Sequence, residues 1–204
     1  MRSPALPFVL AAVTTVLVGF AVSMTPYFAG DVTVTRLVQS MFPDPAWAIS
    51  ISRLATEPSK YVVIAVALGA AYALAGWRGA AVGAIAILLD QYGSEASKAI
   101  FARPRPSPQL VAVVGTPSGY SFPSGTLTFF SATFGWVGIL ASRAKAGPAR
   151  TAVGTAALLM LVAGCLARVV LGAHWPSDVV LTTMISLTWL WAVARTARVG
   201  GERF

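Results

Sequence analysis

The chain has 204 residues, of which 56% are hydrophobic and only 11% charged, with 15 Lys and Arg against 7 Asp and Glu for a formal net charge of +8. An average soluble domain carries roughly 25% charged residues, so this composition excludes a water-soluble single domain, and its apolar content excludes a disordered chain. Each membrane helix takes about 20 apolar residues, so the length holds about six spans with short loops and little else.

The first apolar run, about 5–24, follows the basic Arg2. A signal peptide cut near Tyr27-Phe28-Ala29-Gly30 is one reading. The run is longer than the usual ~7–15-residue signal core, which favours an uncleaved first span. The segment 26–59 mixes Val32, Val34, Leu37, Val38 and Met41 with Thr33, Thr35, Arg36, Gln39 and Ser40. That pattern suits a short helix lying in the membrane interface. Asp44-Pro45 then opens a second short helix through Arg53, as N-cap and first helical residue. A plain packed extramembrane loop fits the segment as well.

Further apolar runs lie at about 60–77, 79–98, 125–142, 152–171 and 178–196. Gly76-Trp77-Arg78-Gly79 reads as a tight turn, which makes the second and third spans a helical hairpin. The stretch 140–148, with Arg143, Lys145, Gly147 and Pro148, closes the fourth span. The expectation is one all-α integral membrane domain over residues 1–204, a six-helix bundle with short interfacial helices between spans one and two.

Loop charges set the orientation. With a cytosolic N-terminus, one side carries Arg2, Arg78, Arg143, Lys145, Arg150, Arg195, Arg198 and Arg203. The other carries Arg36, Arg53 and Lys60, together with Lys98, Arg103, Arg105 and Arg168, which belong to a chemical site. Outside that site the bias puts both termini in the cytosol. No basic stripe with interleaved aromatics is present, so nucleic acid is not an expected partner. The single Cys165 excludes an intrachain disulfide and a Cys-ligated metal cluster, and reads as a small core residue.

Three segments carry polar groups that a bilayer tolerates only for a reason. They are Lys98–Pro106, Pro123-Ser124-Gly125-Thr126, and Arg168 with His174 and Asp178. All fall at span ends on the non-cytosolic side, so they can converge on one pocket. Lys98, Arg105 and Arg168 supply positive charge, and Arg adds paired donors for phosphate oxygens. Ser124-Gly125 opens a helix whose free N–H groups favour an anion. His174, the sole histidine, can attack phosphorus as a neutral imidazole. Asp178, in the first turn of the sixth span behind Pro176, is placed to reach back to a ring nitrogen and hold the reactive tautomer.

These segments resemble the signature of the phosphatidic acid phosphatase type 2 superfamily, the lipid phosphate phosphatases: K-x6-R-P, P-S-G-H, and S-R-x5-H-x3-D. Lys98 and Arg105-Pro106 match the first element, Pro123, Ser124 and Gly125 three positions of the second, and Arg168, His174 and Asp178 the third. The resemblance implies a six-helix membrane phosphatase of the cell membrane with an extracytoplasmic site. It further implies His174 as the phosphorylated nucleophile, Lys98, Arg105, Ser124, Gly125 and Arg168 as phosphate ligands, and no metal or other cofactor.

Two positions depart from the signature. Ala167 stands where the family often has Ser, and Thr126 stands where the family has the His that protonates the leaving group. A phosphate monoester expels an alkoxide whose conjugate acid has a pKa near that of water, roughly 15.7, and needs a proton. A diphosphate expels a phosphate, whose second pKa is about 6. The expected substrate is therefore a phosphoanhydride lipid such as a polyprenyl diphosphate, with Thr126 as a substrate contact. The same residues also suit a phosphatidic acid or phosphatidylglycerophosphate phosphatase, a lipid phosphotransferase, or a headgroup-binding pseudo-phosphatase. Glu95 pairs with Lys98 one turn away, and it or a water held through Thr126 is an alternative source of the leaving-group proton; Arg103 falls outside the signature and suits solvent or headgroups at least as well as catalysis; Asp90 has no assigned role.

Overall fold

The computed structural model describes residues 5–143, 147–197 and 199. Arg2, Lys145, Arg198 and Arg203 of the orientation argument lie outside the described residues. The apolar runs become the long helices: α1 (Leu6–Ser23), α4 (Ser59–Phe101), α7 (Pro148–Val170) and α8 (Pro176–Thr196). The run at 125–142 forms α5 (Gly125–Phe130) and α6 (Trp136–Ser142), joined by a π-helical stretch at Ser131–Gly135. Two short helices, α2 (Asp31–Met41) and α3 (Ala46–Arg53), precede α4. No strand occurs among the described residues, and the all-α membrane expectation holds.

Among the described residues, five helical stretches are long and apolar enough to cross a membrane, against six expected. The difference lies in α4, where the second and third expected spans join end to end. Gly76 interrupts that helix with φ 66° and ψ −164°, a conformation open to glycine. The chain doubles back there. A Cβ on Gly83 would lie 3.2 Å from Leu68 Cδ2, and one on Gly79 would lie 2.8 Å from the Ala71 carbonyl oxygen. A straight helix would separate residues 68 and 83 by about 22 Å, so the expected hairpin is present.

One helix start, that of α7, moves upstream of its expected position, and α8 opens at Pro176 as expected. Pro148 occupies the first turn of α7 and Pro176 that of α8, where the missing N–H has no intrahelical partner to lose. The π stretch was not expected. It carries the small residues Ser131, Ala132 and Gly135, and a Cβ on Gly135 would lie 2.6 Å from Leu187 Cδ2 of α8. Here tight packing decides the local form.

The segment 26–59 forms the two expected short helices, packed onto the bundle as a cap. Ala48 of α3 is buried with Ala167, Val170, Leu171 and Ala173 at the end of α7. Gln39 of α2 donates to the carbonyls of Ala112 (2.7 Å) and Val170 (3.1 Å), and its own carbonyl accepts from Ala112 N–H. The opposite face of α2 leaves Val34, Leu37 and Met41 exposed. The N-cap of α3 is Pro45, one residue later than expected, and Asp44 just ahead of it accepts the Ala46 N–H at 2.9 Å. The loop 102–124 lies between this cap and the bundle, and Val114 N–H bonds the Leu171 carbonyl at 2.9 Å.

Candidate active site

His174 sits in the short turn between α7 and α8, 2% exposed. Gly172, at φ 60°, lets the chain reverse there, and a Cβ on it would lie 2.0 Å from the Ala112 carbonyl oxygen. The imidazole is held at both nitrogens. Nδ1 lies 2.6 Å from the Ser121 carbonyl oxygen, which can only accept, so Nδ1 carries the proton. Nε2 is then the lone-pair nitrogen, and Arg105 Nη1 approaches it at 3.2 Å as donor.

Arg105 is fixed by backbone carbonyls. Its Nε donates to Ser118 (3.0 Å) and Gly119 (3.1 Å), and Nη1 donates to Ala173 (2.7 Å). Burial lowers its pKa. Arg168, in the last turn of α7, donates to Ser52 Oγ of α3 at 3.3 Å, and its Nε is buried without a partner among the described residues. Lys98 sits one turn from the end of α4 and pairs with Glu95 at 2.5 Å, as expected. A Cβ on Gly125, the first residue of α5, would stand 3.7 Å from Lys98 Nζ. The last turn of α4 thus faces the first turn of α5.

Ser124 caps α5 with extended backbone, and its N–H donates to Thr182 Oγ1 at 3.1 Å. Its own hydroxyl is buried without a partner among the described residues. Thr126 is half-buried in the first turn of α5.

The electrostatics follow from this crowding. Burial first, then the charges of Arg168 and Arg105 and more weakly that of Lys98, hold the His174 imidazole well below the ordinary histidine value of 6.5. The Ser121 carbonyl opposes the shift and does not overcome it. A neutral imidazole whose lone pair meets the Arg105 guanidinium, within the field of Arg168 and Lys98, has the chemistry to attack an anionic phosphorus group. Free N–H groups at the start of α5 and the unpaired Ser124 hydroxyl and Arg168 Nε suit a tetrahedral oxyanion.

Two expectations need correction. Asp178 does not hold the ring nitrogen. Its Oδ2 accepts from the Ser121 hydroxyl and from Trp175 N–H (3.0 Å), and its Oδ1 accepts from Arg103 Nη1. The third position of α8 turns the carboxylate back onto the helix's own N-cap residue, and the Ser121 carbonyl takes the place at Nδ1. Arg103 does not face solvent or headgroups; it is 1% exposed, drawn inward by two carboxylates, Asp178 and Asp31.

Sequence reasoning missed Ser121, Asp31 and Ser52, which carry no distinguishing spacing. Asp90 borders a cavity of about 480 Å³ between α1, the second half of α4, α5 and α8, whose walls include Thr15, Phe101, Phe122, Thr182 and Trp189. Phe122 and Pro123 join this largely apolar groove to the site.

The family model of the PAP2 superfamily matches residues 60–199. No curated protein matches the chain. Among solved structures, the chain is similar to the first transmembrane PAP2 type phosphatidylglycerolphosphate phosphatase from Bacillus subtilis. The two share 16% identity at a TM-score of 0.67, over 97% of this chain and 96% of that one. At that identity the likeness speaks for the fold.

Proposed function

The chain belongs to the PAP2 superfamily, and from that premise we propose that it removes the terminal phosphate of a lipid diphosphate, a polyprenyl diphosphate above all, through a phosphohistidine on His174. The observation that carries this reading is the imidazole pinned as the Nδ1–H tautomer, with Nε2 facing Arg105 and within the field of Arg168 and Lys98.

The reaction has two steps. The Nε2 lone pair attacks the terminal phosphorus while Arg105 turns its donor from Nε2 to a phosphate oxygen. The bond from phosphorus to the bridging oxygen breaks, and its electron pair leaves on the lipid monophosphate. Water then attacks the phosphohistidine, releases inorganic phosphate and restores the ring. Lys98, Arg105 and Arg168 neutralise the charge on the transferring group, helped by the Ser124 hydroxyl and the Gly125 N–H. The Ser121 carbonyl stabilises the N–H of the phosphorylated ring. These cations supply the charge that a metal would otherwise bring, so activity is independent of divalent metal.

Thr126 supports the anhydride. Threonine is no acid near neutral pH, and a departing phosphate needs little protonation. The apolar groove beside Phe122 suits the lipid's hydrocarbon. With the two halves of α4 crossing separately, the bundle has six spans, both termini are cytosolic, and the site opens on the outer face of the cell membrane. A monoester substrate is the second reading, favoured by the fold match to a phosphatidylglycerolphosphate phosphatase.

Purified protein assayed with polyprenyl diphosphate, phosphatidic acid and phosphatidylglycerophosphate side by side separates the two. Fastest phosphate release from the diphosphate is expected. Turnover of the monoesters alone would install the second reading, and no turnover on any of the three would leave a headgroup-binding protein.

A further inference from the structure

Behind the imidazole lies a second, fully buried charged cluster. Arg103, Asp31 and Asp178 are 1%, 5% and 0% exposed. Arg103 Nη1 donates to Asp178 Oδ1 and to Ser177 Oγ (3.0 Å), and Nη2 donates to Asp31 Oδ2 at 3.3 Å. The Phe28 ring covers the guanidinium at 4.8 Å. Asp31 also accepts from Phe28 N–H (2.8 Å), Ser177 N–H (3.0 Å) and Ser177 Oγ (2.6 Å). One residue at the head of α2 thus ties the α1–α2 loop to the first turn of α8.

Buried ionic groups seldom stabilise a fold more than well-packed apolar residues of equal size. This cluster has a different consequence, because it ends on Ser121. The Ser121 N–H donates to the Arg103 carbonyl at 2.7 Å, and its hydroxyl donates to Asp178. Arg103 therefore holds Ser121 twice, through its own backbone and through the carboxylate its side chain anchors. The remaining polar group of Ser121, its carbonyl, accepts from His174 Nδ1. If the Ser121 peptide turns, the ring can take the other tautomer, whose Nε2 bears the proton and has no lone pair to attack with.

We propose that Asp31 and Arg103 are positioning residues for His174, acting through Asp178 and Ser121 to lock the ring as the Nδ1–H tautomer; the proposal rests on the reading of His174 as nucleophile. Lysine cannot replace Arg103, because a point donor does not span two carboxylates as the guanidinium fork does. Asparagine cannot replace Asp31, because its amide turns a donor toward N–H and O–H groups that already donate.

His174 is the sole histidine of the chain, so histidine-selective 15N labelling of the full-length protein, purified without a histidine tag, reports this ring alone. The wild type should give the two 15N resonances of a neutral Nδ1–H imidazole. In Asp31→Asn and in Arg103→Lys the resonances should move toward each other as the tautomers mix. With polyprenyl diphosphate, kcat should fall about 10–100-fold, the usual cost of losing an outer partner, while KM is retained. Unchanged tautomer resonances in these variants, or a rise in KM with kcat intact, would overturn the proposal. Ser177→Ala, which removes one hydroxyl from the cluster, carries the same readout should either variant fail to fold.

Trapping of alkali-stable radiolabelled phosphoenzyme separates the underlying reading. Label lost in His174→Ala supports the nucleophile. Label retained there would sink the nucleophile assignment, whatever the resonances show.

Discussion

The Ser121 carbonyl oxygen lies 2.6 Å from His174 Nδ1, and this contact decides which nitrogen of the ring can react. With Nδ1 holding the proton, Nε2 alone carries a lone pair, and it points toward the Arg105 guanidinium.

His174→Ala should abolish turnover and leave anion affinity largely intact, because Lys98, Arg105 and Arg168 remain. Equilibrium binding of a non-hydrolysable diphosphate lipid, set beside phosphate release, checks both halves. Wild-type activity should survive a chelator such as EDTA. Loss of activity to the chelator, restored by a divalent metal, would contradict a site built from Lys, Arg and helix N–H groups.

Asp178→Asn should lower both activity and stability. The substitution strips a buried charge partner from Arg103 and turns an amide donor toward the Ser121 hydroxyl or the Trp175 N–H. Removing one member of a buried pair costs about 3–5 kcal/mol when nothing else compensates. Asp31 still faces Arg103, so the loss should fall at the lower end of that range. Thermal unfolding in detergent, compared with the wild type, measures it.

The pH dependence has a definite sign. His174 is held well below the ordinary value of 6.5 in the folded protein, mainly by burial and then by Arg168 and Arg105. The unfolded chain therefore binds the proton first as pH falls. The contribution of this group is fully present above 6.5 and is lost as pH drops below it, until the folded value is reached. Stability should decline on acidification from pH 6.5, and His174→Gln should flatten that slope. At pH 6 the labelled ring should still read as neutral by 15N shift. A ring already charged at pH 6 would remove the neutral nucleophile.

Much of this architecture is written in the order of apolar runs and their breaks. Pro176 announces a helix start, the basic stretch ending at Pro148 announces a helix stop, Gly76 announces the hairpin, and the joint spacing of Lys98, Arg105, Arg168 and His174 points to a candidate anion site. What is not legible is the layer behind it. Asp31 and Arg103 stand 72 residues apart, and no local periodicity links two charges that meet only after α2 has folded onto the bundle. Asp178 shows the same limit: spacing places it near His174, but only packing reveals that Ser121 intervenes. The π stretch at Ser131–Gly135 likewise answers to the neighbouring helix, not to its own propensity.

Gly172→Ala should damage the site from the backbone. At φ 60° an alanine meets strain of about 1–3 kcal/mol. In addition its Cβ would sit 2.0 Å from the Ala112 carbonyl oxygen, so the loop 102–124 must move away from the turn that carries His174. The expected outcome is lower thermal stability together with a loss of kcat larger than that in Gly138→Ala, whose Cβ would meet nothing within 4 Å. Equal behaviour of the two variants would mean that the turn tolerates displacement.

Thr126 separates the two substrate readings. It lies in the first turn of α5, next to Gly125, where the family signature has the leaving-group acid. If anhydride cleavage makes that acid dispensable, the wild type should prefer diphosphate lipids to matched monophosphates. The preference should appear in kcat as well as KM, because leaving-group protonation belongs to the transition state. General acid catalysis contributes about 10²–10⁴ in rate where the leaving group needs it. Thr126→His should therefore raise monophosphate turnover far more than diphosphate turnover. Thr126→Ala should cost diphosphate turnover little if the residue is a spacer, and about 0.5–1.5 kcal/mol, one hydrogen bond, if its hydroxyl meets the phosphate. Glu95 is a poor alternative acid, because it is exposed and already paired with Lys98. Monophosphate lipids hydrolysed by the wild type as fast as their diphosphate counterparts would defeat this account. Glu95→Gln would then show whether that carboxyl supplies the proton after all.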